Sequence, residues 1–240
     1  MGRVLALTLV LTLAMADSGL CGADLLNQGM EAYKAKNYSQ AVDLLGQYLK
    51  ARPDDAAARS KRAEALAQMD RHADALAEVE QGLARNPKDV TLLMQQGALL
   101  VKLDRRPEAI AAYSQAIAAA PERCEPHRER GEQLSHEGDF DAALKDLNRA
   151  AQLNPNDSWV FYKRGMVWFC QGEYDKAIAD FSSAIKVKPD GPWPYFARAN
   201  IYRHHLNQPD QAVADYQEGC RLGHPLCCRE LEKMGRKIEK

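Results

Sequence analysis

The chain has 240 residues, 46% of them hydrophobic, and a formal net charge of −1 from 32 Lys and Arg against 33 Asp and Glu. That balance leaves no basic stripe and so no electrostatic footprint for nucleic acid. The length would hold two ordinary globular domains, but the internal period described below argues for one continuous array. In chain order the first element is an apolar leader. Met1-Gly2-Arg3 precedes a run from Val4 to Leu13, too short for a membrane span, which needs about 20 residues. Ala14-Met15-Ala16 follows, so residues 1–23 read as a secretory signal and lead-in, cut after Ala16 or after Ala23. Leu20 before Cys21 is too large for a lipoprotein cleavage site. The expected location is a bacterial periplasm, with secretion as the alternative.

From there the chain repeats. Pro53, Pro87, Pro121, Pro155 and Pro189 recur every 34 residues, as do Ala41, Ala75, Ala109, Ala143 and Ala177. Gly29, Ala63, Gly97, Gly131, Gly165 and Ala199 form a third ladder. A period of this length marks helix–turn–helix units that stack on their neighbours. The units are 22–55, 56–89, 90–123, 124–157, 158–191 and 192–226, so the array occupies 24–226 once the lead-in is removed. The sixth carries one extra residue near Asn207-Gln208-Pro209. Residues 227–240, with Leu231, Met234 and Ile238 among charges, predict a capping helix over the last hairpin.

Within a unit the pattern is two short helices. In 158–191, Phe161, Gly165 and Trp168 make one apolar stripe at helical spacing, and Ala177, Phe181, Ala184 and Ile185 make another. Gly172-Glu173 separates them, and Pro189 stops the second. Phe161, Trp168 and Phe181 are expected in the core of this unit, as are Tyr195, Tyr202 and Tyr216 in the next.

The motif Phe161-x-x-Arg164-Gly165-x-x-Trp168, Ala177-x-x-x-Phe181, Pro189 resembles the tetratricopeptide repeat, with Arg164 where that pattern has Leu. The resemblance implies an all-α fold, a right-handed α-solenoid with a C-terminal capping helix. It also implies a non-enzymatic scaffold for protein–protein interaction.

An internal correlation points to ion pairs. Arg62, Arg130, Arg164 and Arg198 stand at position 7 of their units, and Glu78, Asp146, Asp180 and Asp215 answer at position 23. Gln28 and Gln96 occupy position 7 where the answering residues are Leu44 and Ala112. Pairs Arg62–Glu78, Arg130–Asp146, Arg164–Asp180 and Arg198–Asp215 are therefore predicted between the two helices of one hairpin. Arg suits the role because its planar fork binds a carboxylate with two hydrogen bonds. At an exposed surface such a pair contributes about 0–1 kcal/mol.

In the family the first helix of each unit lines a groove with positions 2, 5, 9 and 12. Carried over, unit two offers Ala57, Ser60, Glu64 and Ala67, and unit three Thr91, Met94, Ala98 and Val101. Unit five offers Trp159, Tyr162, Met166 and Phe169, and unit six Trp193, Phe196, Asn200 and Arg203. These last eight are the candidate peptide-binding residues. If a third of their aromatic area stays open, the patch is roughly 300 Å². The expected partner is another protein or peptide segment, peptide or helical in form, with self-association open and no nucleic acid or integral membrane span. The alternative is a structural subunit of a cell-envelope assembly held through surfaces outside the groove. The clamp by which chaperone-tail-binding members hold a carboxylate is not expected, since Leu26, Met30 and Lys61 stand at its positions.

Cysteine-rich helical-repeat relatives staple each hairpin with one bridge, and their spacing resembles Cys220 and Cys228; Cys220 with Cys227 is the competing pair. Cys124 and Cys170 read as buried thiols. Cys220, His224, Cys227 or Cys228 match no strong metal-ligand spacing, and no metal or cofactor is expected. Catalysis is not expected either. No phosphate loop or nucleophile elbow is present, and His127, His136, Glu129 and Glu132 only share one helix.

Overall fold

The computed structural model describes residues 22–236, and every regular element among them is an α-helix. The apolar leader through Cys21 and the last four residues lie outside the described residues. The chain forms two compact units, one ending at Ala120 and one beginning at Pro121. The first holds α1 (22–34), α2 (Tyr38–Ala51), α3 (Ala56–Ala67), α4 (His72–Arg85), α5 (Val90–Lys102) and α6 (Arg106–Ala119). The second holds α7 (Cys124–His136), α8 (Phe140–Leu153), α9 (Ser158–Cys170), α10 (Tyr174–Val187), α11 (Pro192–His204), α12 (Pro209–Arg221) and α13 (Pro225–Lys233). Within each, consecutive helices pack as hairpins, and first helices of neighbouring hairpins touch, α3 with α5 and α7 with α9. This is the helical-repeat solenoid class.

Local chemistry sets the helix ends. Asp55, Asp89 and Asp139 cap α3, α5 and α8, accepting hydrogen bonds from Ala58, Leu92 and Ala142 N–H at 2.9, 3.1 and 3.1 Å. Each turn inside a hairpin needs one residue in the left-handed region. Gly138 and Gly172 supply it at φ 84° and 76°, but Lys36, Asp70 and Asp104 are forced there at 61°, 57° and 56°. Asn207 fills the place in the last repeat, one position late because of its extra residue.

The core is built from a small residue facing a large one. Gly97 lies against Tyr113, Gly131 against Leu147 and Gly165 against Phe181, so closely that a Cβ would meet them at 2.4, 2.9 and 2.7 Å. Leu45, Val79, Tyr113, Leu147, Phe181 and Tyr216, one per hairpin, are at most 2% exposed. Burying a side chain of this size stabilises by about 1.5–3 kcal/mol. Phe161 and Trp168 depart from their expected places: both are only half-buried, and Val160 and Val167 take the buried positions instead. Phe161 lies beneath the Arg164 guanidinium, 5.6 Å from ring centre to Cζ. Tyr202 is likewise half-buried.

In four of the six repeats an Arg stands at position 7, next to the small residue. Arg164 donates two bonds to Asp180 at 2.6 and 2.8 Å, Arg130 two to Asp146 at 2.6 and 2.8 Å, and Arg198 two to Asp215 at 2.7 and 2.8 Å. Arg62 pairs with Glu78. The exposed-surface assumption fails here, because Glu78, Asp146, Asp180 and Asp215 are only 4–6% exposed. A further feature lies outside the hairpin. Arg62 donates to the Val42 carbonyl, Arg164 to Asn148 and Arg198 to Ser182, each on the second helix of the preceding repeat. The guanidinium thus ties three helices. Its hydrogen bonds to Asp215 hold the Arg198 proton more firmly than usual.

Position 4 adds to the same node. Arg59 joins Arg62 on Glu78, and His127 joins Arg130 on Asp146 at 3.3 Å. Arg59, His127 and Tyr195 also reach back to the carbonyls of Pro53, Pro121 and Pro189 at 3.0, 3.2 and 3.3 Å. These carbonyls lie past the helix ends and need a partner.

Arg164→Ala leaves the buried Asp180 carboxylate unpaired, which costs about 3–5 kcal/mol. Adding Asp180→Leu should recover part of that loss. Urea unfolding of the two single variants and the double variant measures the coupling; strictly additive losses would refute the clamp.

Candidate functional site

The candidate residues fall on α9 and α11. Tyr162, Met166, Phe169, Trp193, Phe196 and Asn200 line one cavity of about 140 Å³, completed by Phe181 and Ala197. Trp159 lies in a neighbouring cavity of about 250 Å³ with Tyr162, Trp193, the loop residues Lys188, Asp190 and Gly191, and Pro192 and Pro194 at the start of α11. A third cavity, about 290 Å³, continues from Tyr162 and Met166 to Glu132, Ser135, His136, Lys163 and Cys170. All three share Tyr162, so they run contiguously along α9.

The rings are supported by one another. Trp159 meets Tyr162 edge-on at 5.6 Å, and Tyr162 packs on the core ring of Phe181 at 5.8 Å. Burial and the nearby Glu132 raise the Tyr162 phenol. Yet Trp159 and Trp193 remain 46% and 47% exposed. Both occupy position 2 of consecutive repeats.

Two candidates are engaged elsewhere. Arg203 pairs with Glu230 of α13, so it is no free cation at the groove. The Asn200 carbonyl oxygen accepts the Tyr216 O–H at 2.6 Å. The first ties the cap to the last hairpin, where Cys227 and Leu231 pack with Ala199, Ala212 and Tyr216, and the second joins the two helices of that hairpin. Cys170, expected buried, is exposed. It ends α9, where the chain turns out at Gln171-Gly172, and its position faces the third cavity.

His224 has a role at this site that the sequence did not disclose. It stacks on Phe196 at 4.7 Å with 20° between planes and meets Trp193 edge-on at 4.5 Å. Among the described residues neither ring nitrogen has a partner, and the side chain is buried. The Cys220–Cys228 disulfide brackets its turn, which leaves Cys227 as a free buried thiol pushed up to about 12 by burial. With both cysteines in that bond they are not thiolate ligands, and among the described residues no group of acids, His and Cys could hold a metal ion. His127 has both ring nitrogens engaged, by Asp146 and the Pro121 carbonyl.

The first compact unit differs in kind. Its cavity of about 160 Å³ is floored by Ala63, Ala67, Ala98 and Leu99. Its polar groups bind one another: Gln95 donates to Ser60 Oγ at 2.7 Å and to Glu64 at 3.1 Å, and Tyr33 donates to Glu64 at 3.0 Å.

Comparison with known proteins follows the same lines. Residues 32–97 and 124–157 match family models described as Tetratricopeptide repeat, and 167–203 one described as TPR repeat. Together these cover more than half of the chain. No curated protein matches it. Among solved structures, pilF of Pseudomonas aeruginosa is similar with a TM-score of 0.73 at 18% identity, covering 91% of this chain and 99% of its own. A tetratricopeptide repeat protein from Parabacteroides merdae gives 0.69 at 15% identity, covering 90% and 98%. YrrB, described as a TPR protein with an unusual peptide-binding site, gives 0.59 at 19% identity, covering 79% and 97%. At these identities the likeness concerns the fold.

Burial lowers the His224 pKa from its ordinary 6.5. The neutral ring belongs to the folded cap, so its stability is fully present above that value. It is lost as the pH falls below it, because the unfolded chain then takes up a proton that the folded one refuses. Thermal melts between about pH 7.5 and about pH 5 should show this loss, and His224→Phe should flatten it. An identical pH profile in the variant would contradict the assignment.

Proposed function

The chain belongs to the tetratricopeptide repeat family, and from that premise we propose that it is a non-enzymatic scaffold that captures a peptide or helical segment of a partner protein on the groove face of repeats five and six. The observation that carries this reading is the pair of half-open indoles, Trp159 and Trp193, flanking contiguous cavities. The hairpin core is already complete without them, as Phe181 and Tyr216 are fully buried. Large rings left in water beside an apolar hollow mark a binding surface. Trp and Tyr are also the residues that most often carry the energy of an interface. The peptide-binding site described for YrrB lends the reading a precedent within the fold.

Trp159→Ala with Phe196→Ala should abolish partner capture while the far-ultraviolet helical signal persists. The measurement is affinity purification of wild type and variant in parallel. If the variant retains the same partners, binding runs through other surfaces, as in an envelope assembly.

We further propose that residues 1–23 direct export, that the array spans 24–226 as six repeats, and that 227–240 cap it. No helix of the described residues is long and apolar enough to cross a membrane. The Cys220–Cys228 bond suits an oxidising compartment. A fusion of residues 1–30 to a reporter active only outside the cytoplasm should be active; a reporter left inside would refute export.

A further inference from the structure

We propose that the cavity between Trp159 and Trp193 receives the cationic side chain of a bound peptide, an arginine or lysine, placed next to a bulky apolar residue that fills the adjoining cavity. This rests on the capture reading above and adds the chemistry of the captured segment. The smaller cavity, about 140 Å³ and walled almost wholly by apolar side chains, has the size of one large aliphatic or aromatic side chain. The larger one is different. Three aromatic rings, Trp159, Tyr162 and Trp193, border it. Aromatic faces carry negative potential and attract ammonium and guanidinium groups within about 6 Å, Trp best of all. Those same faces disfavour an anion.

Asp190 reinforces that sign. It lines the cavity and is exposed, with no ion-pair or hydrogen-bond partner among the described residues. Lys188 also borders the cavity and also has no partner there. The two do not cancel. The lysine charge sits on a flexible four-carbon stem and can swing to water, whereas the carboxylate is one carbon from the backbone of a loop closed by Gly191 N–H donating to the Lys188 carbonyl at 3.3 Å. The walls are held in place: Tyr162 rests on Phe181, and Trp193 on His224, whose turn the disulfide brackets. A wall fixed in advance spares the ordering cost of binding.

The test is selection from a random heptapeptide library with leucine fixed at the centre, on the full-length oxidised protein. Wild type should enrich Arg or Lys beside the leucine. Selected peptides should shift the indole N–H resonances of Trp159 and Trp193. Replacing the selected Arg by citrulline should weaken binding about fivefold, the scale of one cation–π contact. Asp190→Asn should weaken the Arg peptide similarly and leave the citrulline peptide unchanged, while Lys188→Gln should not weaken it. Enrichment of an apolar residue beside the leucine with no cation, or of Asp or Glu, overturns the proposal while leaving capture intact. If wild type enriches nothing over the Trp159→Ala, Phe196→Ala variant, the cation site and the capture reading fall together.

Discussion

Two adjacent residues on the first helix of a hairpin meet two adjacent residues on the second, and the remaining architecture follows from that contact. A small residue at position 8 lets a large one at position 24 press against the helix backbone, as Phe181 does at Gly165. The closeness carries position 7 to position 23, so that Arg164 reaches Asp180. Were the helices an ångström further apart, neither the dry contact nor the paired hydrogen bonds would form. The guanidinium that closes one hairpin also reaches the hairpin before it. Local packing and the joining of repeats thus share one guanidinium.

This arrangement frees the first helices to vary on their other face. In the first compact unit that freedom goes to polar side chains that hydrogen-bond to one another, as Gln95, Ser60, Glu64 and Tyr33 do. In the second it goes to aromatic rings that have no complete set of neighbours. One scaffold therefore presents a quiet wall of small residues and an unfinished apolar wall on the same kind of hairpin.

The fold class was legible because its signals are local and periodic: proline phase, small-residue ladders and turn residues all recur within one chain segment. The sharing of one carboxylate by two side chains of the same repeat leaves no such periodic mark, and it escaped. Nothing in the own-repeat correlation told that Arg59 shares Glu78 with Arg62, or that His127 shares Asp146 with Arg130. The motif placed Phe161 in the core, yet the guanidinium beside it covers the ring and Val160 goes inside. At the site, sequence position grouped the rings on α9 and α11, but it could not reveal that Arg203 is spent on Glu230 or that His224 stands behind Trp193. Both of those contacts come from α13 and the turn that leads into it, where the chain follows no period.

The end of this array is a different thing from a stopper. In a solenoid whose final helix merely shields the last hairpin, another copy of the repeat could be inserted before it, and arrays of this kind could lengthen or shorten freely. Here the turn leading into α13 puts an imidazole behind two rings of the last repeat, and Glu230 claims an arginine from the same helix. Duplication at this terminus would part those groups and leave the rings unsupported. The last hairpin and the helix that covers it are consequently matched to one another through specific side chains.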